Sequence, residues 1–394
     1  MQTDFLIVGA GVIGLTSAQA LLQAGYRVTL VERGAVGQEA SWAGGGILSP
    51  LCPWDYQEAV TRLAQRGMDM FGETAAMLNA ATGIDPEYQR SGMLLLPPFQ
   101  AELATRWCTQ HQLALQHVDI GGYLHGMQGE GLLLPPYREE LATQWCAQHQ
   151  VALQHVSLAD YFPELSASGS GLLLPEVAQV RNPRLLRALR RHVEMLGGVI
   201  LEYHEVRQFE ITGDRITGLQ TTQGKFGADQ FIITAGAWSK VLLGEHALDM
   251  DIRPIRGQIL LFKFDQPPFR QILLKESLYF IPRRDGHVLA GSTLEDVGFD
   301  KSTTAEALDS LLQRIRGVFP DWHDRLPVMH WTGFRPGSPD NIPTIGRHPI
   351  ITNLYASSGH FRYGVTMSLS SAELLLNEIE DKPQPLPIEE YRWH

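Results

Sequence analysis

The chain has 394 residues, 44% of them hydrophobic and 19% charged, with a formal net charge of -11. That length carries a sizeable core and two domains, while the acidic balance excludes a general nucleic-acid binder or a protein held on a membrane by a basic patch. Cys52, Cys108 and Cys146 form no metal or disulfide spacing, no apolar run approaches the roughly 20 residues of a membrane span, and the N-terminus reads as a strand rather than a signal peptide, so the expected location is the cytoplasm.

Phe5 to Val8 is a continuous apolar run of the kind a parallel strand buried on both faces requires. Gly9, Gly11 and Gly14 follow in G-x-G-x-x-G spacing, and Leu15 to Ala24 carries a helical pattern that ends at Gly25. Val28 to Val31 supplies a second strand, closed by Glu32. In such a unit the first glycine permits the tight turn, the second lets backbone approach a pyrophosphate, and the third lets helix and strand pack closely. The pyrophosphate meets the helix N-terminus, and the acid accepts hydrogen bonds from ribose hydroxyls. The motif by itself leaves FAD and NAD both open.

Gly44, Gly45 and Gly46, after the small and polar stretch from Gly37 to Ala43, suit neither a helix nor a strand interior. They predict backbone lying flat against a planar ligand, with a flexible loop as the alternative. Tyr56 to Thr82 is predicted as a helix ending at Gly83. Then the chain repeats itself: 19 of 27 positions are identical between residues 94–120 and 132–158, and Leu172-Leu173-Leu174-Pro175 echoes the start of the unit again. Two copies are too few for a solenoid, so the pattern predicts a tandem duplication of one strand–helix segment. Cys108, His111 and His117, with Cys146, His149 and His155, resemble metal ligands, but copying alone produces that pattern and no metal is expected.

A helix is predicted from Arg181-Asn182-Pro183 to Leu196, then strands at 199–203, 206–211, 216–221 and 231–233. The last of these returns the chain to the first sheet. Residues 252–264 and 278–290 have β composition and 304–318 is an amphipathic helix, which suits an antiparallel platform over a ligand. Arg335, between Gly333 and Gly337, is a candidate for fork-like binding of a carboxylate, with a surface arginine as the alternative. The strand and glycine turn before the helix at 367–380 repeat the logic of the N-terminus.

Taken together, the Gly9–Gly14 fingerprint with Glu32, Ser41-Trp42-Ala43-Gly44-Gly45-Gly46-Ile47, Val180-Arg181-Asn182-Pro183-Arg184, Thr234-Ala235-Gly236-Ala237-Trp238-Ser239, Gly333-Phe334-Arg335-Pro336-Gly337 and Gly359-His360-Phe361-Arg362-Tyr363-Gly364 resemble the FAD-dependent D-amino-acid oxidase superfamily, and within it the glycine oxidases of thiamine thiazole biosynthesis. The resemblance implies an α/β Rossmann-like FAD-binding domain of the GR2 type from 1–90, 172–240 and 330–380, interleaved with an α+β substrate domain from 91–171 and 241–329. The duplication, 94–131 and 132–171, is the departure from the family's usual length. The implied FAD contacts are Val12, Ile13, Glu32, Arg33, Ala40, Ser41, Gly45, Gly46 and Ile47, with Val206 at the adenine. His360, Phe361, Arg362, Tyr363, Gly364, Val365 and Thr366 would line the pyrimidine end of the flavin. Arg335 and Tyr279 would clamp the substrate carboxylate, assisted by Arg362. No side chain need act as base, because hydride passes from the substrate Cα to the flavin.

The resemblance implies a small amine and dioxygen as reactants, hydrogen peroxide as a product, and a homo-oligomer. Three alternatives stay open at this point. One is a D-amino-acid dehydrogenase that passes electrons to a quinone, the second a non-catalytic flavoprotein, and the third a tRNA-modifying oxidoreductase domain, which the acidic balance disfavours.

Overall fold

The computed structural model describes residues 3–49, 55–96, 137–157 and 170–394. Its first sheet runs in the order Thr344–Arg347, Leu354–Ser358, Gln230–Ile233, Phe5–Val8 (β1), Val28–Val31 (β2), Val199–Leu201. All neighbours are parallel except the first pair. β1 sits at the centre with all four residues buried, which is why its sequence is an unbroken apolar run rather than an alternation. The helix Val12–Gln23 (α1) is buried nearly all round, against Asn182–Met195 on one side and Ser368–Ile379 on the other. Its small residues permit that: Thr16 donates its hydroxyl to Val12 O (2.9 Å) and to Ser368 O across the interface (3.1 Å).

The second sheet has eight strands, in the order Met329–Gly337, Arg253–Lys263, His287–Gly291, Leu278–Pro282, Ile272–Lys275, Met93–Leu96, Ser170–Leu174, Gln154–Ser157. It is antiparallel except where Ile272–Lys275 runs parallel to Met93–Leu96. Side chains alternate across it. Leu94, Leu96, Phe262, Phe280 and Val288 face the helix Ala305–Val318 and the aromatic group of Phe319 and Trp322. Met93, Leu95, Ile259, Leu274, Tyr279 and Ile281 face the other way. Thr304 caps the covering helix by accepting from Ala307 N (3.2 Å). The expected domain boundaries at 172 and 330 both fall inside strands of this sheet, since Leu172 pairs with Leu95 and Arg335 with Ile255.

The repeat is used in an unexpected way. The strand comes from the first copy, Leu94 to Leu96, whereas the helix Tyr137–Gln148 and the following strand Gln154–Ser157 come from the second. The third echo, Leu172 to Leu174, becomes the strand that pairs with the first copy. Sequence periodicity missed the strand at 154–157, a short polar edge strand. Cys108, His111 and His117 lie outside the described residues, whereas Cys146 is buried and His149 stacks on Trp145 (4.3 Å between ring centroids). Among the described residues no group of metal-ligating side chains occurs and no helix is long and apolar enough to cross a membrane.

Among the described residues, one strand, one helix and one closing strand of the repeat are seen, the equivalent of a single copy. Excising residues 97–134, which joins Leu96 to Pro135 and restores one Leu-Leu-Leu-Pro-Pro run, should leave far-UV circular dichroism and the melting temperature close to those of the parent; a large drop in Tm would show that both copies carry core contacts.

Candidate active site

A cavity of about 1020 Å³ opens between the parallel sheet and the eight-stranded sheet. Its floor is the turn from β1 into α1. Gly9 takes φ +106, and a Cβ there would stand 2.7 Å from Thr234 O, while one at Gly14 would collide with Gly9 O. Only glycine allows that approach, which brings the start of α1 to the cavity. Ser41 Oγ accepts from Val12 N (2.9 Å), and among the described residues the next two amides of the helix, Ile13 and Gly14, have no partner. Free amides and the helix dipole there favour a phosphate. Beside them Glu32, at the end of β2, is buried and accepts from Ala10 N (2.8 Å) and Gly34 N (3.1 Å). Those bonds fix the carboxylate and leave lone pairs for hydroxyls.

Further along, Arg33 stacks on Trp238 (3.5 Å to the ring centroid) and pairs with Glu39, which also holds Lys301. Val206 lines this end with Glu205. The loop with Ala40, Ser41, Gly45, Gly46 and Ile47 lines the cavity, as do His360, Phe361, Arg362, Tyr363, Gly364 and Val365. Burial pushes the His360 imidazole down to about 3, so the ring is neutral at ordinary pH; its Nε2 and Ser371 Oγ are 2.9 Å apart. Two of the sequence-nominated residues do not line the cavity. Gly14 serves the helix–strand approach, and Thr366 donates its hydroxyl to Ile47 O (3.0 Å), bracing the wall from behind.

The far wall belongs to the second sheet. Arg335 lies over Gly257, where any Cβ would collide with the guanidinium. Its Nη2 donates to Ser292 Oγ (2.6 Å) and its Nη1 to Thr293 O (3.1 Å), so the fork is held while further donors stay available. Burial lowers the pKa of this arginine, opposed by Tyr279 and Glu295 and reinforced by the like charge of Arg362. Tyr279 reaches the same space from Leu278–Pro282, beside Leu95, Leu274 and Ile259. Arg362 is exposed at the rim, its guanidinium 5.4 Å from the Phe361 ring.

Sequence reasoning left several functional residues unassigned. Asn182 Nδ2 donates to Ser41 O (2.7 Å) and Gly44 O (3.0 Å), while its buried Oδ1 has no partner. Trp331 Nε1 donates to Ala43 O (3.1 Å). Arg283 Nη2 donates to Gly45 O (2.6 Å). Asn182 stood in a quoted motif without a role; the other two carried no local signal.

The glycine turn, the free helix amides and the buried acid at the end of the second strand are the features of a dinucleotide-dependent oxidoreductase. The chain belongs to the DAO family, FAD dependent oxidoreductase, whose pattern matches residues 4–377. It is 39% identical to the glycine oxidase of Pseudomonas aeruginosa, over 95% of this chain and 94% of that protein, and 36% identical to the glycine oxidase of Pseudomonas putida, over 98% of each. It is 29% identical to a bifunctional protein ThiO/ThiG of Synechocystis, matching 98% of this chain and 53% of that one. The crystal structure of glycine oxidase from Geobacillus kaustophilus superposes with a TM-score of 0.86 at 24% identity, covering 100% of this chain and 98% of that one, and so shares the fold.

FAD is the cofactor of this family, and the residues present fit it: the free α1 amides suit its pyrophosphate, Glu32 its ribose, and the Gly44–Gly46 wall a flat ring. Gly9→Ala should therefore act on stability and cofactor together. Forcing a side chain into φ +106 against Thr234 O costs about 1–3 kcal/mol. The purified variant should melt lower and lose most of its 450 nm absorbance, and a variant as yellow and as stable as the parent would refute this role for the turn.

Proposed function

We propose that the chain is an FAD-dependent oxidase of glycine and other small amines, with sarcosine and D-alanine as further substrates. Glycine, dioxygen and water would give glyoxylate, ammonia and hydrogen peroxide. The observation that carries the reading is the placement of Arg335 and Tyr279 on one wall of the cavity whose other walls are the glycine cradle. A guanidinium held by Ser292 and Thr293 is already oriented before substrate arrives, so a carboxylate docks without reorganising it. Charge-assisted bonds fix the carboxylate in register, and the Tyr279 hydroxyl supplies a further donor. Leu95, Leu274 and Ile259 make the neighbouring wall apolar, which limits water. FAD, when bound, supplies the electron sink for the hydride of the substrate Cα and returns the electrons to dioxygen. The protein's part is to bind the amine as the free base and to hold its Cα–H toward the cradle, with no side chain required as base. Supply of thiamine thiazole synthesis, a cytoplasmic location and a homo-oligomeric state complete the proposal; the relatives' names support the first.

Peroxide release by the purified protein with glycine, sarcosine and D-alanine tests the reaction. Arg335→Met should raise KM for glycine roughly 10–100-fold, the loss of a hydrogen bond to a charged group, with a smaller change in kcat. An unchanged KM removes Arg335 from the site. Anaerobic bleaching of the flavin by these amines without peroxide in air would assign a dehydrogenase instead.

A further inference from the structure

The carbonyls of the cofactor loop are drawn away one after another. Ser41 O and Gly44 O accept from Asn182, Ala43 O from Trp331, Gly45 O from Arg283, Gly46 O from Val180 N (2.8 Å) and Ile47 O from Thr366. In a trans peptide the carbonyl and the following N–H point in opposite directions, so a carbonyl pulled outward turns the next amide the other way. Among the described residues the amides of Gly45 and Gly46 have no partner. They form a pair of successive donors of the kind that holds electronegative groups.

Arg283 is the odd member of this set. Asn182, Trp331 and Thr366 show that a neutral donor can do such a job, yet Gly45 O is held by a buried guanidinium. Besides Gly45 O, it donates only to neutral oxygens, Gln179 Oε1 (2.8 Å) and Val180 O (2.9 Å), and its Nε has no partner. No carboxylate pairs with it among the described residues. Burial pushes its pKa down to about 10, so it stays charged at neutral pH. The nearby carboxylates of Glu87 and Asp285 favour its charge, but both are already paired with Arg181, whose like charge opposes it. A buried cation with neutral hydrogen-bond partners therefore still gains from a further counter-charge. It follows Tyr279 and Ile281 at alternate positions, and those two side chains approach Gly45 most closely from the same side (a Cβ on Gly45 would stand 2.5 Å from Ile281 Cδ1 and 3.5 Å from the Tyr279 ring).

We propose that Arg283 is a positioning residue with two effects: it aims the Gly45–Gly46 peptide at the flavin, and it sets a fixed positive charge behind that peptide which reduced FAD, being negative, balances. The proposal rests on the flavin reading but not on the identity of the amine. It predicts that the charge favours the reduced cofactor, so removing it makes the flavin harder to reduce.

The test uses holoenzyme and reads cofactor affinity, the two-electron midpoint potential of bound FAD, and thermal unfolding. Arg283→Gln should raise the FAD dissociation constant at least tenfold and shift the midpoint potential negative. Arg283→Lys keeps the charge and loses the fork, so it should weaken FAD while holding the potential near the parent value. Gln179→Glu leaves Arg283 in place and sets a carboxylate against its Nη1, at an atom pair where the amide Nε2 of Gln179 is itself buried without a partner. That variant should fold at least as well as the parent and shift the potential negative, in the same direction as Arg283→Gln, because the two changes remove the same net charge from this place. Arg284→Gln, at the exposed neighbour, should change neither quantity. A potential unmoved in Gln179→Glu overturns the charge effect, and it does so even if Arg283→Gln fails to fold. FAD affinity unchanged in a folded Arg283→Gln overturns the positioning effect. A parent protein that binds no FAD would overturn the cofactor reading as well.

Discussion

Where β1 ends, the backbone of Gly9 turns with a positive φ and comes to rest against the carbonyl of Thr234, with the carbonyl of Gly9 in turn accepting from the Thr234 hydroxyl (2.8 Å). Nearly everything at the cofactor end depends on that approach. It places the α1 amides over the gap between Phe5–Val8 and Gln230–Ile233, the crevice at strand ends where ligands of open α/β sheets bind. It also carries Glu32 into position, since β2 pairs in register with β1 and the residue that follows its last must emerge beside the turn. The strand Gln230–Ile233 enters the sheet more than two hundred residues after its neighbour, so the floor of the cavity is closed by the chain's return.

The wall proposed to hold substrate obeys a different constraint. Arg335 lies across Gly257, and a residue with any side chain there would occupy the place of the guanidinium. Beneath this pair, Arg256 bonds Glu295, Asp300 and the Ser302 carbonyl (3.2 Å), which closes the loop that brings Ser292 and Thr293 to Arg335. One buried arginine thus shapes the loop that steadies another. The strand that carries Tyr279 lies two places across the sheet from Arg253–Lys263, so the two proposed substrate donors are set by sheet registration rather than by loop conformation.

The parts of this site that were legible in the sequence are those whose cause is local. Gly9, Gly11, Gly14 and Glu32 fall within one β–α–β unit, and Arg335 is flagged by flanking glycines. Arg283 and Trp331 gave no such sign, because they meet the loop at sequence separations of 238 and 288 residues, through pairing that only the closed sheets determine. The repeat was visible as a repeat, but its use was not. Leu94–Leu96 and Leu132–Leu134 are identical, and only pairing with Ile272–Lys275 and Ser170–Leu174 shows that the first of them is a strand of this sheet. The expected boundary at 330 meets the same difficulty: residues 329–337 carry the motif proposed to bind substrate, and their hydrogen-bond partner is the strand Arg253–Lys263, which the sequence assigns to the other domain.

Trp331 and Arg283 sit on two different strands of the eight-stranded sheet or its immediate extension, and both bond the loop that walls the cofactor side. Any hinge swinging the two sheets apart would have to break both bonds and leave the half-buried Trp331 and the buried Arg283 donors without acceptors. The exposed cavity-lining side chains Arg362 and Leu294, by contrast, are free to exchange rotamers in picoseconds to nanoseconds with both bonds intact. Motion confined to such side chains would leave the proposed clamp of Arg335 and Tyr279 undisturbed while small molecules come and go.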